Sequence, residues 1–336
     1  MSPSESAALV EDERRFPFRL ANAPGAVRLA AALIAVAIAL TIARGPVAVG
    51  QTTLNGLVAA GYFSLGAVGL TLVFGSLRII NFAHGDLLTL GAYLTLGMNA
   101  LGLPFWPAAA LAIAATAGVA LVLDWIVWEP MRRQQTSTLQ LFLVAIGLAM
   151  IIRYTIQFFA GSQPRSLGQD ALSEIVVGPF HLGALQALAL IVGVAAASLV
   201  GLGLAFTRFG KQIRALADDM ALAEVSGVDA RSMIRLVWLV AGGLAALAGV
   251  LYAAAVGSVN PNFGFLILLS LFTAAVLGGI GNAYGALAGG LIVGLAQEWS
   301  TLFFNTRWKP VVGFAILILM LLIMPRGIFG SRRARS

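Results

Sequence analysis

Thr207–Arg235 reads TRFGKQIRALADDMALAEVSGVDARSMIR and is the longest polar interruption between the first and last apolar segments of the chain. It carries Arg208, Lys211, Arg214, Arg231 and Arg235, with Asp218, Asp219, Glu224 and Asp229 among them. Inside it, Gln212–Val225 combines strong helix formers with apolar residues at helical spacing, Ile213, Leu216, Met220 and Val225. That pattern predicts one amphipathic helix. Gly227 follows where a C′ glycine ends a helix. Between two apolar spans, such a helix lies on a membrane surface and can dock into a soluble partner. The plain alternative is a solvated loop with no special role.

The chain around this stretch is long apolar runs. Of 336 residues, 60% are apolar and 10% charged, against about 25% charged in a soluble domain. A bilayer core of roughly 30 Å takes about 20 residues per helix, so the runs predict an all-α polytopic integral membrane protein. No polar stretch is long enough for a separate soluble domain. We divide the chain into an N-terminal segment at 1–28, a transmembrane domain at 29–330 containing the 207–235 loop, and a basic tail at 331–336. The first apolar run begins only near Ala30, which argues against a cleaved signal peptide. There are no cysteines and two histidines, which removes disulfides, thiolate chemistry and a His-built metal site. The net charge of +7 is read as membrane topology, with no nucleic-acid partner.

Ten spans are expected, at 30–49, 54–76, 87–101, 105–128, 139–160, 182–206, 236–256, 263–279, 284–304 and 311–324. With the N-terminus inside, 16 of the 21 Lys and Arg fall on the inner side. Four come before the first span, then Arg78, Arg132 and Arg133, five in the central loop and four from Arg326 onward. Arg44, Arg165, Arg307 and Lys309 fall outside, and Arg153 within a span. This bias places both termini and the central loop in the cytoplasm. An eight-span arrangement, with the segments around Gly278–Gly285 re-entrant, keeps the same orientation.

Two interruptions stand out. Arg78–Asp86, RIINFAHGD, separates two apolar spans and offers Asn81, His84, Gly85 and Asp86. Irregular backbone at membrane depth is tolerated where it faces protein or a water-filled cavity, and such breaks surround transport pathways. The competing reading is a cytoplasmic turn with His84 and Asp86 solvated. Ala274–Gly290, AAVLGGIGNAYGALAGG, is the second, with Thr273 just ahead of it and Gly278, Gly279, Gly281 and Gly285 around Asn282. Glycines at that density disfavour a straight helix. Asn81–His84–Gly85 and Asn282–Tyr284–Gly285 echo one another, as paired breaks in a repeat-built transporter do, although an echo this short also arises by chance. Asp124, Arg153 and Glu298 are ionisable residues in or near spans; structural pairing is the expectation for each. Arg153 is also placed to snorkel, and Asp124 to reach the headgroups. The chain has no GxxxxGK[ST], HExxH or GxSxG string, so any ATP chemistry belongs to another subunit.

Four blocks carry a family likeness: GLTLVFGSLRIINFAHGDLLTLGAYL at 69–94 (with Asn55–Gly56 ahead of it), TRFGKQIRALADDMALAEVSGV at 207–228, NPNFGFLILLSLFTAAVLGGIGNAYGALAGGLIVGLAQ at 260–297, and MPRGIFG at 324–330. In these the chain resembles the permease subunits of bacterial branched-chain amino acid ABC importers, of the LivH type. The resemblance implies an inner-membrane importer subunit, not an enzyme. It implies two ATP-binding subunits that hold ATP and Mg, a second permease, a periplasmic binding protein, and no cofactor in this chain. The ATPase-contacting pattern of that family falls on Arg214, Ala215, Ala217, Asp219, Ala223 and Gly227, with Glu224 among them. The general importer loop has Glu-Ala-Ala and a later Leu-Pro. Here Ala221 and Leu222 take the first two places and no Leu-Pro follows, a departure usual for this branch. The translocation pathway is expected along Asn81, His84, Gly85, Asp86, Thr273, Gly278, Gly279 and Asn282. Urea, amides, aromatic acids or sugars are alternative cargoes. An ion- or proton-driven carrier working alone is the alternative of another class.

Overall fold

A computed structural model of the chain describes residues 23–166, 174–324 and 327–329, with side chains from residue 29. The expected N-terminal segment falls largely, and the basic tail wholly, outside the described residues, with Arg14, Arg15, Arg19, Arg332, Arg333 and Arg335. The chain divides into two compact units, 1–49 and 50–336. The first holds helix α1 (Ala23–Arg44) and the opening of α2 (Pro46–Leu77). The first span was expected to run on to Val49. It stops at Gly45, whose φ of +87° is left-handed, and Pro46 opens the next helix, as a proline at the first helical position does.

In the second unit α2 continues, followed by α3 (Ala83–Ala100) and α4 (Phe105–Leu123). A π-helical turn at Asp124–Trp128 leads from α4 into α5 (Glu129–Arg133). Then come α6 (Thr138–Ala160), α7 (Ala184–Phe206), α8 (Arg208–Asp218), α9 (Met220–Val225), α10 (Ala230–Val256), α11 (Phe263–Gly278), α12 (Ala283–Ser300) and α13 (Lys309–Ile323). Among the described residues six helical stretches are long and apolar enough to cross a membrane: 46–77, 105–133, 138–160, 184–206, 230–256 and 306–323. The protein is therefore a mostly helical, multi-pass membrane protein. Two small antiparallel ribbons add to the helical reading: β1 (Arg165–Ser166) pairs with β4 (Ser258–Val259), and β2 (Glu174–Val177) with β3 (Phe180–Gly183). β1, β2 and β3 fall between α6 and α7, and β4 between α10 and α11.

Local chemistry sets the helix ends. Ser137 and Gln140 form a capping box at the start of α6, and Thr207, Asp229 and Asn282 each accept a backbone N–H three residues on. Gly257, at φ +74°, closes α10. Most of α2 and α10 is buried, whereas α4, α6, α7 and α13 are mainly exposed and form the outer layer. Lipid removes the hydrophobic drive between helices, so close backbone approach takes over. A Cβ on Gly264 would come within 1.9 Å of the Gly85 carbonyl oxygen, and one on Gly278 within 2.1 Å of the Gly285 carbonyl carbon. These contacts lock α3 onto α11 and α11 onto α12.

Candidate functional site

The polar loop folds as two helices. Asp219 is extended, at φ −152° and ψ 109°, and its Oδ1 accepts the Leu222 N–H at 3.0 Å. Asp219 thus ends α8 and caps α9, which corrects the expected continuous helix over Gln212–Val225. The corrected helices also split the apolar stripe. Ile213 and Leu216 are buried on α8, whereas Met220, Leu222 and Val225 of α9 are exposed. A small cluster of Leu216, Ala223, Ala230 and Met233 holds the hairpin to the base of α10. Arg214 reaches back to the Leu204 carbonyl through Nη1. Gly227 has φ +89°, with its N–H on the Glu224 carbonyl and the Val228 N–H on the Ala223 carbonyl. That is a left-handed helix stop. Ahead of α10, the Ser232 amide and hydroxyl hold the Asp229 carboxyl below the usual carboxylate range.

The first break is shorter than its sequence and runs back into the bundle. Residues 78–82 are irregular, and Asn81 Oδ1 accepts the Ala83 N–H at 3.1 Å, so α3 already contains His84, Gly85 and Asp86. All three lie buried in its first turn, which overturns the reading of His84 and Asp86 as solvated. His84 Nε2 lies 2.9 Å from the Gly66 carbonyl oxygen. Gly66 is about 16 Å back along α2 from Leu77, at 1.5 Å per residue. Arg78 is left-handed at φ +56° and Phe82 is helical, so the residues between them and the reach of the His84 side chain span this rise. Residues 78–82 therefore climb back along α2, and α3 begins level with its middle.

The second break is the turn 279–282 between α11 and α12. Gly279 and Gly281 have φ of +96° and +92°, and Asn282 Oδ1 accepts the Gly285 N–H at 3.1 Å. Gly75 lies against Gly281, where an added Cβ would be 3.4 Å from its Cα. A cavity of about 570 Å³ opens here, lined by Arg78, Arg214, Ala217, Asp218, Gly279 and Asn282 among others. The hairpin and both breaks thus meet around one cavity. A second cavity of about 570 Å³ has Arg78, Glu129, Asp218, Glu224, Arg231 and Arg235 in its wall.

The remaining expected residues lie elsewhere. His84, Gly85 and Asp86 sit deeper, and Gly278 is packed against Gly285. Thr273 faces α13, its hydroxyl donating to the Leu269 and Gly313 carbonyls at 2.9 and 3.2 Å. Each membrane charge has a partner: Asp86 with Arg153, Asp124 with Arg132 at 2.7 Å, and Glu298 with Lys309 at 2.6 Å. Asp124 is buried against Arg132 and Arg153 is turned into the bundle onto Asp86, in place of the expected reach toward the headgroups. Glu129 gathers Arg133, Arg231 and Arg235 at 2.6, 3.5 and 3.6 Å. Only the Glu129–Arg133 spacing, four residues on a helix, signals its pairing in sequence. Arg78, exposed at φ +56° between the two cavities, carries no such signal.

A family model described as "Branched-chain amino acid transport system / permease component" matches residues 52–321. The chain is 33% identical over 294 residues to the high-affinity branched-chain amino acid transport system permease protein LivH of Escherichia coli (strain K12), covering 83% of this chain and 95% of that protein. It is 30% identical, with the same coverage, to the corresponding permease protein BraD of Pseudomonas aeruginosa. The ribose import permease protein RbsC of Escherichia coli is 25% identical over 284 residues, covering 82% of this chain and 83% of that protein.

Proposed function

Because the chain belongs to the family of permease components of branched-chain amino acid transport systems, we propose that it is the membrane-spanning subunit of a binding-protein-dependent ABC importer. Its cargo is a branched-chain or related amino acid. Two separate ATP-binding subunits hold ATP and Mg and drive alternating access. A second, different permease completes the pathway, and a periplasmic protein delivers the cargo. The chain crosses the bacterial inner membrane ten times with both termini in the cytoplasm. The helices α1 to α4, α6, α7 and α10 to α13, eight of them apolar, and the distribution of Lys and Arg support this topology.

The observation that carries the mechanism is the shared cavity. The α8–α9 hairpin presents Met220, Leu222 and Val225 outward, while its inner wall of Arg214, Ala217 and Asp218 faces the α11–α12 turn. An ATPase that moves the hairpin therefore acts at once on the two places where the backbone departs from helix. Asn81, His84, Gly85 and Asp86 line or support the path on the α3 side, and Gly278, Gly279 and Asn282 on the other; Thr273 supports it from behind. A self-sufficient proton-driven carrier calls for buried acids without fixed ionic partners. The pairing of Asp86, Asp124 and Glu298 with basic partners favours the ATP-driven reading.

The test is uptake into vesicles holding this chain, its companion permease and the ATP-binding subunits, with binding protein outside and ATP inside. Leucine, isoleucine and valine uptake that needs both is the expected result. Ribose, urea or aromatic acids taken up in their place would move the cargo assignment. Gradient-driven uptake by this chain alone would replace the importer with a carrier.

A further inference from the structure

The MPRGIFG string at 324–330 is the one block of the sequence likeness without a role. Its described residues, Gly327–Phe329, fold back onto the α11–α12 turn. The Ile328 N–H donates to the Leu277 carbonyl at 2.8 Å, on the last turn of α11. Asn282 Nδ2 donates to the Phe329 carbonyl at 3.2 Å, at the cap of α12. Gly327, just ahead of these bonds at φ +77°, packs so close that a Cβ would come within 2.4 Å of the Gly279 nitrogen. The segment therefore grips the turn from both sides through backbone. Phe329 also forms part of the cavity wall beside Arg214, Ala217 and Asp218 of α8.

The turn has a physical need for such a grip. Gly279 and Gly281 hold positive φ, and glycine loses more conformational freedom on ordering than any other residue. A glycine-rich turn moved by a neighbouring element yields locally unless something outside it fixes its shape. At the start of α12, Tyr284 OH donates to the Gly201 carbonyl of α7 at 3.2 Å, one turn before α7 gives way to α8.

We infer that Gly327–Phe329 is a positioning strap that holds the α11–α12 turn rigid against α8, so that motion of the docked hairpin reaches the turn undiminished. The inference rests on the reading of α8–α9 as the ATPase-docking element. The strap touches no cargo and no nucleotide; it acts through the turn.

The experiment uses the full complex in lipid nanodiscs and compares ATP hydrolysis with and without the binding protein. Ile328→Pro removes one N–H and leaves the turn's own sequence intact. Gly327→Val pushes the strap off Gly279. Expected for both is unchanged basal hydrolysis with the binding-protein-stimulated rate and uptake down about tenfold, the scale set by one lost hydrogen bond in a coupled pair. Wild-type stimulation in either assembled variant overturns the strap. So does a parallel fall of basal and stimulated rates, or failure of both variants to assemble, since a merely structural segment behaves that way. Gly227→Arg serves as the separate control. If it retains full stimulation, the docking assignment itself fails, whatever the strap variants do.

Discussion

Arg153 grips Asp86 with two parallel bonds, Nε to Oδ1 and Nη2 to Oδ2, both at 2.9 Å. The carboxylate is fully buried and the guanidinium nearly so, at 0% and 14% side-chain exposure. The guanidinium also lies 4.5 Å from the centre of the Phe265 ring. One interaction thus ties α3, α6 and α11 together at the depth where α3 begins.

Removing one partner leaves a buried charge without compensation, a loss of about 3–5 kcal/mol. Asp86→Leu or Arg153→Met alone is expected to lower thermal stability in mild detergent sharply, read by size-exclusion after heating. The double variant is expected to recover most of it, since an apolar pair of similar volume replaces the ions. Arg153→Lys is expected to fall between, because an ammonium lacks the planar fork. Single variants as stable as the native chain would mean that the pair does not hold these helices.

The Asp219 carboxylate starts α9 by capping the Leu222 N–H. Serine at the same place can cap as well, so Asp219→Ser is expected to keep binding-protein-stimulated ATP hydrolysis within about twofold. Asp219→Lys loses the cap and reverses a charge on the proposed docking face, and stimulation should vanish while the permease still inserts. Equal stimulation in the two variants would separate α9 from coupling.

The apolar segments were legible because a bilayer imposes one length and one composition on every helix that crosses it. Even the short, glycine-rich α11 and α12 fall where their apolar runs lie. The break at Asp219 was visible in part: an Asp in a helical pattern is a cap signal as well as a charge, and the apolar spacing masked it. The Asp86–Arg153 pair was not legible. Its members are 67 residues apart, and only the climb of residues 78–82 brings them level. That climb follows from Arg78 at positive φ, a conformation that its side chain does not advertise.

Gly85 and Gly264 set the distance between α3 and α11 by backbone contact. A methyl group on Gly264 has the Gly85 carbonyl and the Thr89 hydroxyl in its way, the latter at 2.3 Å, and Thr89 Oγ1 accepts the Gly264 N–H at 3.2 Å. Gly264→Ala is expected to cost about 1–3 kcal/mol by overpacking, more than Gly97→Ala on the same helix as Gly85, where a Cβ meets nothing within 4 Å. Thermal unfolding of the two variants side by side checks the difference; equal midpoints would place the contact between the helices elsewhere.

The proposed topology rests on the distribution of Lys and Arg, and the absence of cysteine makes it directly measurable. Single cysteines report sidedness without background from this chain. Leu222→Cys on the exposed face of α9 is expected to react with a membrane-impermeant maleimide only from the cytoplasmic side. Arg307→Cys, beyond the far end of α12, should react only from the periplasmic side. Two neighbours then test the climb of residues 78–82. Ile80 is exposed and Ile79 buried, so Ile80→Cys is expected to label and Ile79→Cys to resist until the protein is unfolded. Fast labelling at both positions would make residues 78–82 an ordinary surface turn. That result would also be incompatible with His84 seated against Gly66, because residues 78–82 laid along the surface cannot return α3 to the middle of α2.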